Sequence, residues 1–270
     1  MKYLSGSELV SYIKVRQAKQ VRVLRQAHNI HPKLAIVQTN NDPVINTYVR
    51  LKKQYGEDVL IDVEHVMTSE DEILAEIDRL NEDPTVHAII VQLPLADQTL
   101  TDTVLERVSA RKDVDGLSSK TQYDPATALA INWLCAGYNI DMHKQTILVV
   151  GQGRLVGAPL TRMWQNSGYN VQGIDKADGV NLEDACSKAT LIVSGAGVPG
   201  LIRSNMIRPD TIVIDAGTAS ESGKIAGDID PEVYNRDDIM ITPQKGGVGP
   251  LTVAALFDNV IRASHKFIQA

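Results

Sequence analysis

The chain has 270 residues, 43% of them apolar, with 27 Lys and Arg against 33 Asp and Glu and a formal charge of −6 at pH 7. That length can bury a sizeable core in one large domain or two smaller ones, and the acidic balance, with no basic run, argues against nucleic acid or anionic membrane as the main partner. No segment approaches a membrane span, MKYLSGSELV has no signal-peptide core, and Cys135 and Cys186 belong to no metal-ligand pattern, so the chain reads as soluble and cytoplasmic with two buried thiols and no metal site.

Apolar runs alternate with amphipathic stretches. LAIVQ (34–38), VLIDV (59–63) and AIIVQ (88–92) read as buried strands, followed by TILVV (146–150), LIVSG (191–195) and TIVIDA (211–216). DPVINTYVRLKKQYG (42–56) opens like a helix, with Asp42 as N-cap and Pro43 in the first helical position. SEDEILAEIDRL (69–80) carries a Ser69/Glu72 capping box and puts Ile73, Leu74, Ile77 and Leu80 on one stripe. A second helical pattern begins near Pro125. This alternation predicts an α/β protein with parallel sheets covered by helices. Two lobes are expected, residues 1–122 with 251–270 and residues 123–250. The closing LTVAALFDNVIRASHKFI spaces Leu256, Val260, Ala263 and Phe267 as a helix that returns to the first lobe.

VVGQGRLVGAPL (149–160) places Gly151, Gly153 and Gly157 between an apolar run and a helical pattern from Leu155 to Asn166. In a Rossmann unit the first glycine makes the tight turn, the second admits the pyrophosphate, and the third allows close helix-to-strand packing. The spacing here is GxGxxxG, one residue longer than the commonest fingerprint, and an ordinary strand-to-helix turn is the alternative. The following YNVQGID ends at Asp175. A carboxylate there would accept hydrogen bonds from the ribose hydroxyls of NAD and repel the extra phosphate of NADP. Asp175 could equally be a solvated loop acid, and Lys176 could turn toward a phosphate.

On a helix opened by Asp42, Tyr48 and Lys52 share a face and Lys53 points about a third of a turn away. A free Lys, with a pKa of about 10.4, is a poor proton shuttle near neutrality; desolvation lowers that value and makes it usable. Taken alone, such a pair is surface decoration. The YxxxK of short-chain dehydrogenases lies downstream of the nucleotide glycines and works with a Ser, whereas this one lies about a hundred residues upstream of Gly151.

Four segments in order carry a resemblance: DPxxxxYVxxK (Asp42 to Lys52), VQLPL (Val91 to Leu95), KDVDG (Lys112 to Gly116) and TPxxGGVGPLT (Thr242 to Thr252). With GQGRLVGAP and GDID (Gly227 to Asp230), they resemble the bifunctional methylenetetrahydrofolate dehydrogenase/cyclohydrolases from about residue 34 to the C-terminal helix. The resemblance implies an N-terminal α/β catalytic lobe, a Rossmann-type lobe and a homodimer. The implied reaction is oxidation of 5,10-methylenetetrahydrofolate with NAD or NADP to the methenyl compound, then hydrolysis to 10-formyltetrahydrofolate. It further implies that Lys52 is the acid/base, Tyr48 stacks on the folate, Gln92 hydrogen-bonds near Lys52 and tunes it, and Asp115 holds the pterin. Gly246, Gly247, Val248, Gly249 and Pro250 are the implied remainder of the substrate site. Gly151, Gln152, Gly153, Arg154, Val156, Gly157, Asp175, Gly195 and Thr127 are the implied dinucleotide set. The chemistry is coherent, since a pterin offers a paired donor edge to a carboxylate and a flat ring to an aromatic face. Each residue also has a plainer reading. Gln92 could satisfy a loop, and Asp113 and Asp115 could cap turns beside Gly116. GGVGP could be a flexible lead into the last helix or a cradle of N–H groups.

Several positions depart from the family pattern. Its GRS is Gly151-Gln152-Gly153 here, and a His-Arg or His-Ser after the next strand is Ile174-Asp175. Both changes remove partners for the NADP phosphate and favour NAD. The PCTP-like segment reads Asp124-Pro125-Ala126-Thr127-Ala128, Lys245 enters the glycine segment on the side of the folate glutamate tail, and Ile45-Asn46-Thr47 stand where a Ser usually precedes the Tyr. A dehydrogenase with weak hydrolysis, and a non-catalytic folate- or nucleotide-binding relative, are the alternatives. Retention of Tyr48, Lys52, Gln92 and Asp115 argues against the second. An unrelated Rossmann dehydrogenase acting on a small acid leaves VQLPL and GGVGP without a role.

Overall fold

The computed structural model describes residues 2–217, 219–221 and 224–268. In chain order the elements begin with β1 (Lys2–Tyr3), α1 (Gly6–His28), β2 (Lys33–Gln38), α2 (Pro43–Val59), β3 (Asp62–Met67), α3 (Ile73–Glu82), β4 (Ala88–Val91) and α4 (Thr101–Arg107). They continue with α5 (Ala126–Gly137), β5 (Ile147–Val150), α6 (Gly157–Asn166), β6 (Val171–Ile174), α7 (Leu182–Lys188) and β7 (Leu191–Ser194). The last are β8 (Ile212–Asp215), β9 (Ala219–Glu221), β10 (Lys224–Ala226), β11 (Met240–Ile241) and α8 (Val248–His265). The chain divides into two compact units, Met1–Val10 with Thr127–Thr252, and Ser11–Ala126 with Val253–Ala270.

The first ten residues thus belong with the glycine-loop segment, whereas the sequence reading put them in the N-terminal lobe. The reason is a backbone ladder that carries little apolar signal. β1 pairs in parallel with β11, and a β-carbon on Gly6 would stand 2.0 Å from the Gly247 carbonyl oxygen.

In the Ser11–Ala126 unit a parallel sheet runs β3-β2-β4. The central β2 and its neighbour β4 are buried along nearly their whole length, which suits their unbroken apolar runs. β3 is an edge strand of intermediate and exposed residues, and the expected strand at 59–63 is displaced. Val59 ends α2, Leu60 caps it in the left-handed conformation (φ 64°), and β3 begins only at Asp62. Asp42 caps α2 as predicted, its side chain accepting the N–H groups of Val44 and Ile45. The expected capping box at Ser69 does not form, because the Ser69 carbonyl takes the Glu72 N–H in a turn and α3 starts four residues after Ser69. Ile73, Ile77 and Leu80 are buried against Ala35, Val37 and Val91, while Leu74, placed on the same stripe, is 36% exposed. Within this unit the α8 segment packs back as expected. Phe257 meets Tyr55 at 5.0 Å between ring centroids, and the Asn259 amide donates to the carbonyls of Val114 (3.0 Å) and Asp124 (2.9 Å).

In the other unit the parallel sheet runs β1-β11-β8-β7-β5-β6. The chain leaves β5 for β6 on one side and returns to β7 on the other, so the strand order reverses at β5. In open α/β sheets ligands bind outside the carboxyl ends of the strands at such a point. Both cysteines are free and buried.

Candidate active site

The α2 helix presents Tyr48 and Lys52 on one face, four residues apart. The Lys52 Nζ donates to Gln92 Oε1 at 2.7 Å, and the Gln92 amide nitrogen donates to the Leu93 carbonyl at 3.0 Å, which turns the Gln92 oxygen toward the amine. Gln92 stands just past β4, its N–H bonded to the Val37 carbonyl of β2. Burial lowers the Lys52 pKa, and the charge of Asp115 partly restores it. The same burial pushes the Asp115 carboxyl from 3.8 up to about 6, with Lys52 pulling it back down and Asp113 adding to the rise. Burial also raises the Tyr48 phenol. The arrangement is a partly desolvated amine bonded to an amide oxygen, with a carboxylate close enough that each charge limits the other's displacement.

KDVDG is a clamp built from its other members. Lys112 is 5% exposed, and its Nζ donates to the carbonyls of Leu80 (2.8 Å), Asn81 (2.8 Å) and Asp83 (2.7 Å) at the end of α3. A cation at a helix C-terminus answers unpaired carbonyls and the negative end of the dipole. Asp113 caps the turn, accepting the N–H groups of Gly116 (3.2 Å) and Ser118 (2.9 Å) and the Ser118 hydroxyl (2.8 Å). Gly116 has φ +75°, and a β-carbon there would stand 2.8 Å from the Tyr123 carbonyl oxygen. Asp115 is left as the acid that faces Lys52. Local sequence context left either acid able to cap the turn, and the structure gives that task to Asp113.

In the other unit the glycine turn has the contacts its spacing calls for. Gly151 has φ +83°, and a β-carbon on it would meet the Ala196 Cα at 2.5 Å; on Gly157 it would meet the Gly151 oxygen at 1.7 Å. At Gly153 a β-carbon meets nothing within 4 Å, so that backbone is open to a ligand. Val156 precedes α6 and packs against Gly195, and exposed Arg154 lies in the turn between them and Gly153. Thr127 is the second residue of α5, partly buried.

Asp175 ends β6, and its carboxylate accepts the N–H groups of Gln152 (2.8 Å) and Lys176 (2.6 Å), while Asp178 accepts the Asp175 N–H (2.6 Å). The Gln152 side chain folds back onto the Val149 carbonyl (3.1 Å) and over Gly173, where a β-carbon would stand 2.7 Å from its amide. The turn therefore carries an acid at the end of β6, a second acid behind it, and an amide occupied with its own backbone. These groups fit a nicotinamide dinucleotide. Sequence reading missed Asp178 and Asp228. Asp228 lies in GDID and is fully buried; it accepts the Ser194 hydroxyl (2.7 Å) and the N–H groups of Ala196 (2.7 Å), Gly197 (3.2 Å) and Val198 (2.8 Å). It fixes the loop that Gly151 packs against.

The structure places Gly246 and Gly247 in a packing role. The Gly246 oxygen accepts the Ser7 N–H at 3.0 Å with φ +81°, and Gly247 abuts Gly6. Val248 begins α8, Gly249 is open on its β-carbon side, and Pro250 sits in the first turn.

Comparison with known proteins is consistent over the whole chain. Residues 4–115 match the family described as tetrahydrofolate dehydrogenase/cyclohydrolase, catalytic domain, and residues 125–268 match its NAD(P)-binding domain. The bifunctional protein FolD of Campylobacter jejuni (strain RM1221) is 35% identical, with 98% of this chain and 99% of that protein covered. A crystal structure of the bifunctional enzyme FolD, methylenetetrahydrofolate dehydrogenase/cyclohydrolase, from Campylobacter jejuni superposes with a TM-score of 0.91 at 33% identity over 99% of each chain. The Trypanosoma brucei N5,N10-methylenetetrahydrofolate dehydrogenase-cyclohydrolase, complexed with NADP cofactor and inhibitor, gives 0.91 at 26% identity over 99% of this chain and 98% of that one.

Proposed function

The chain belongs to the tetrahydrofolate dehydrogenase/cyclohydrolase family, and from that premise we propose that it oxidises 5,10-methylenetetrahydrofolate to the methenyl compound and hydrolyses that to 10-formyltetrahydrofolate. The observation that carries this reading is the Lys52 amine, part-buried, bonded to Gln92 and acted on by the charge of Asp115. A pure binder has no use for a desolvated amine of lowered pKa.

The dinucleotide, when bound, supplies the hydride acceptor. The chain's own residues supply binding and proton transfer. Asp115, with a pKa of about 6, is ionised at neutral pH and accepts the paired N–H donors of the pterin. Tyr48 covers the flat ring. In the oxidation, hydride leaves the methylene carbon of the closed ring as the N5 and N10 lone pairs form the amidinium product, and the Lys52 ammonium positions the folate there without protonating either nitrogen. In the hydrolysis, its neutral form takes a proton as water adds to the methenyl carbon. That proton then serves the N5 nitrogen as the C–N5 bond breaks, and the hydroxyl proton is released to solvent, so water is consumed and one proton is set free. Gln92 holds the amine in place through both steps.

The preferred dinucleotide in this proposal is NAD. Asp175 and Asp178 oppose an added phosphate, and Gln152 stands where the family pattern has an Arg. Formation of methenyltetrahydrofolate, followed by its absorbance, tests both parts. Turnover with NAD+ is expected to equal or exceed that with NADP+, and Asp175→Ser is expected to move the ratio toward NADP+ by about tenfold, as for one close like-charge contact removed. Strong preference for NADP+ that Asp175→Ser leaves unchanged refutes the cofactor assignment, and absence of turnover with either refutes the activity.

A further inference from the structure

Behind α2, on the side turned away from Tyr48 and Lys52, lies a cavity of about 370 Å³ lined by Asn41, Asn46, Val49, Arg50, Lys53, His65 and Met67. Residues 46, 49, 50 and 53 follow the i, i+3, i+4, i+7 spacing of one helical face. At about 100° per residue, Arg50 lies about 160° around the helix from Tyr48 and Lys53 about 100° from Lys52. The groove is thus separate from the pterin-facing side of the same helix.

Its charge is unusual for this chain. The protein is acidic overall, and several cations of this unit are matched: Lys14 with Asp58, Arg16 with Asp258, Lys33 with Glu64, Arg107 with Asp78. Arg50 and Lys53 make no ion pair among the described residues, and no acid lines the groove. Its polar lining is also ordered from beneath. Fully buried Gln38 spends its amide hydrogens on the Asn40 carbonyl (2.6 Å) and Asn46 Oδ1 (2.8 Å), so its oxygen faces His65 Nε2 at 2.8 Å. His65 therefore carries its neutral-state hydrogen on Nε2, and a second proton goes to Nδ1. Asn46 in turn donates to Asn41 Oδ1 at 2.8 Å.

We propose that this groove is a second ligand site, which takes the phosphate group of a small organic phosphate. The guanidinium fork of Arg50 suits paired phosphate oxygens, Lys53 adds a point charge, and His65 can become a third cation. The exposed thioether of Met67 and the Val49 side chain offer an apolar wall to the organic portion.

The test uses the whole chain without folate or dinucleotide, so its outcome does not depend on the assigned reaction. Inorganic phosphate and pyrophosphate are titrated at constant ionic strength while the His65 ring resonances are followed by NMR, with His65→Gln to identify them. Burial and the Lys53 charge hold the free imidazole below its ordinary pKa, so anion binding is expected to raise it. Arg50→Glu with Lys53→Glu is expected to weaken binding at least tenfold while leaving methenyltetrahydrofolate formation intact. Phosphate held at the glycine turn is insensitive to that double substitution. An unshifted His65, an equal response to chloride, or binding of tri-γ-glutamate without binding of phosphate overturns the proposal.

Discussion

Asp115→Asn separates what the site costs the fold from what it gives the reaction. Burial lifts the Asp115 carboxyl from 3.8 in an unfolded chain to about 6 in the fold. That gap corresponds to about 3 kcal/mol held against the folded state once the group is ionised in both states. The carboxyl keeps partial solvent contact, so the recoverable stability is about 1–3 kcal/mol. The sign follows from linkage. Below pH 3.8 the group is protonated folded and unfolded, and it contributes nothing. Between 3.8 and about 6 the folded state holds the proton more tightly, so stability falls as pH rises. Above about 6 the loss is complete. Urea unfolding at several pH values is expected to show Asp115→Asn more stable than the wild type at about pH 7.5, with the difference shrinking toward zero by about pH 4. The variant is also expected to show a tenfold or greater rise in KM for the folate substrate, because an amide cannot accept two N–H donors as a carboxylate does. An Asp115→Asn chain no more stable than the wild type near neutral pH, or a difference that persists unchanged into the acid range, refutes the electrostatic account of the site.

Lys52→Met is expected to lower hydrolysis by about 10²–10⁴-fold, the usual contribution of a positioned acid/base. The wild-type hydrolysis rate, measured by loss of methenyl absorbance, should rise with pH and level off below 10.5, since burial lowers the amine; that rise should be absent in the variant. Because the folded pKa is the lower one, the charged amine destabilises the fold below it, and the gain in thermal stability from Lys52→Met should fade as pH approaches 10.5. Gly151→Ala forces φ +83° on a residue with a β-carbon 2.5 Å from the Ala196 Cα. It is expected to cost at least about 1–3 kcal/mol and to weaken dinucleotide binding, measured by quenching or calorimetry, with little change in folate affinity.

The elements legible in the sequence are those whose environment repeats along the chain. β2, β4, β5, β7 and β8 are covered on both faces, so their apolar runs survive almost unbroken. β3 lies at a sheet edge and is nowhere fully buried, so the apolar run before it, which ends α2, drew the expected strand three residues early. The 23-residue α1 falls outside the strand-and-helix periodicity because it buries Gln17 fully and leaves Tyr12 78%, Val15 58% and Val23 53% exposed. That Gln17 is satisfied by the Ala254 carbonyl at 2.8 Å and by the Tyr55 hydroxyl at 2.8 Å, partners distant in sequence that no local pattern announces.

The site shows the same division between local and distant causes. Tyr48 and Lys52 could be paired from helical spacing alone, since Asp42 and Pro43 fix where the helix starts. That Lys52 is desolvated rather than solvated could not, because its burial depends on Gln92, 40 residues away, and on Asp115, 63 away. The two acids of KDVDG have one sequence context and different surroundings: Asp113 closes the turn, and Asp115 is the one whose charge acts on Lys52. Lys112 makes that turn possible by occupying the end of α3. Replacing it would leave three carbonyls of that helix end without their donor. Lys112 thereby ties the end of α3 to the segment that carries Asp115.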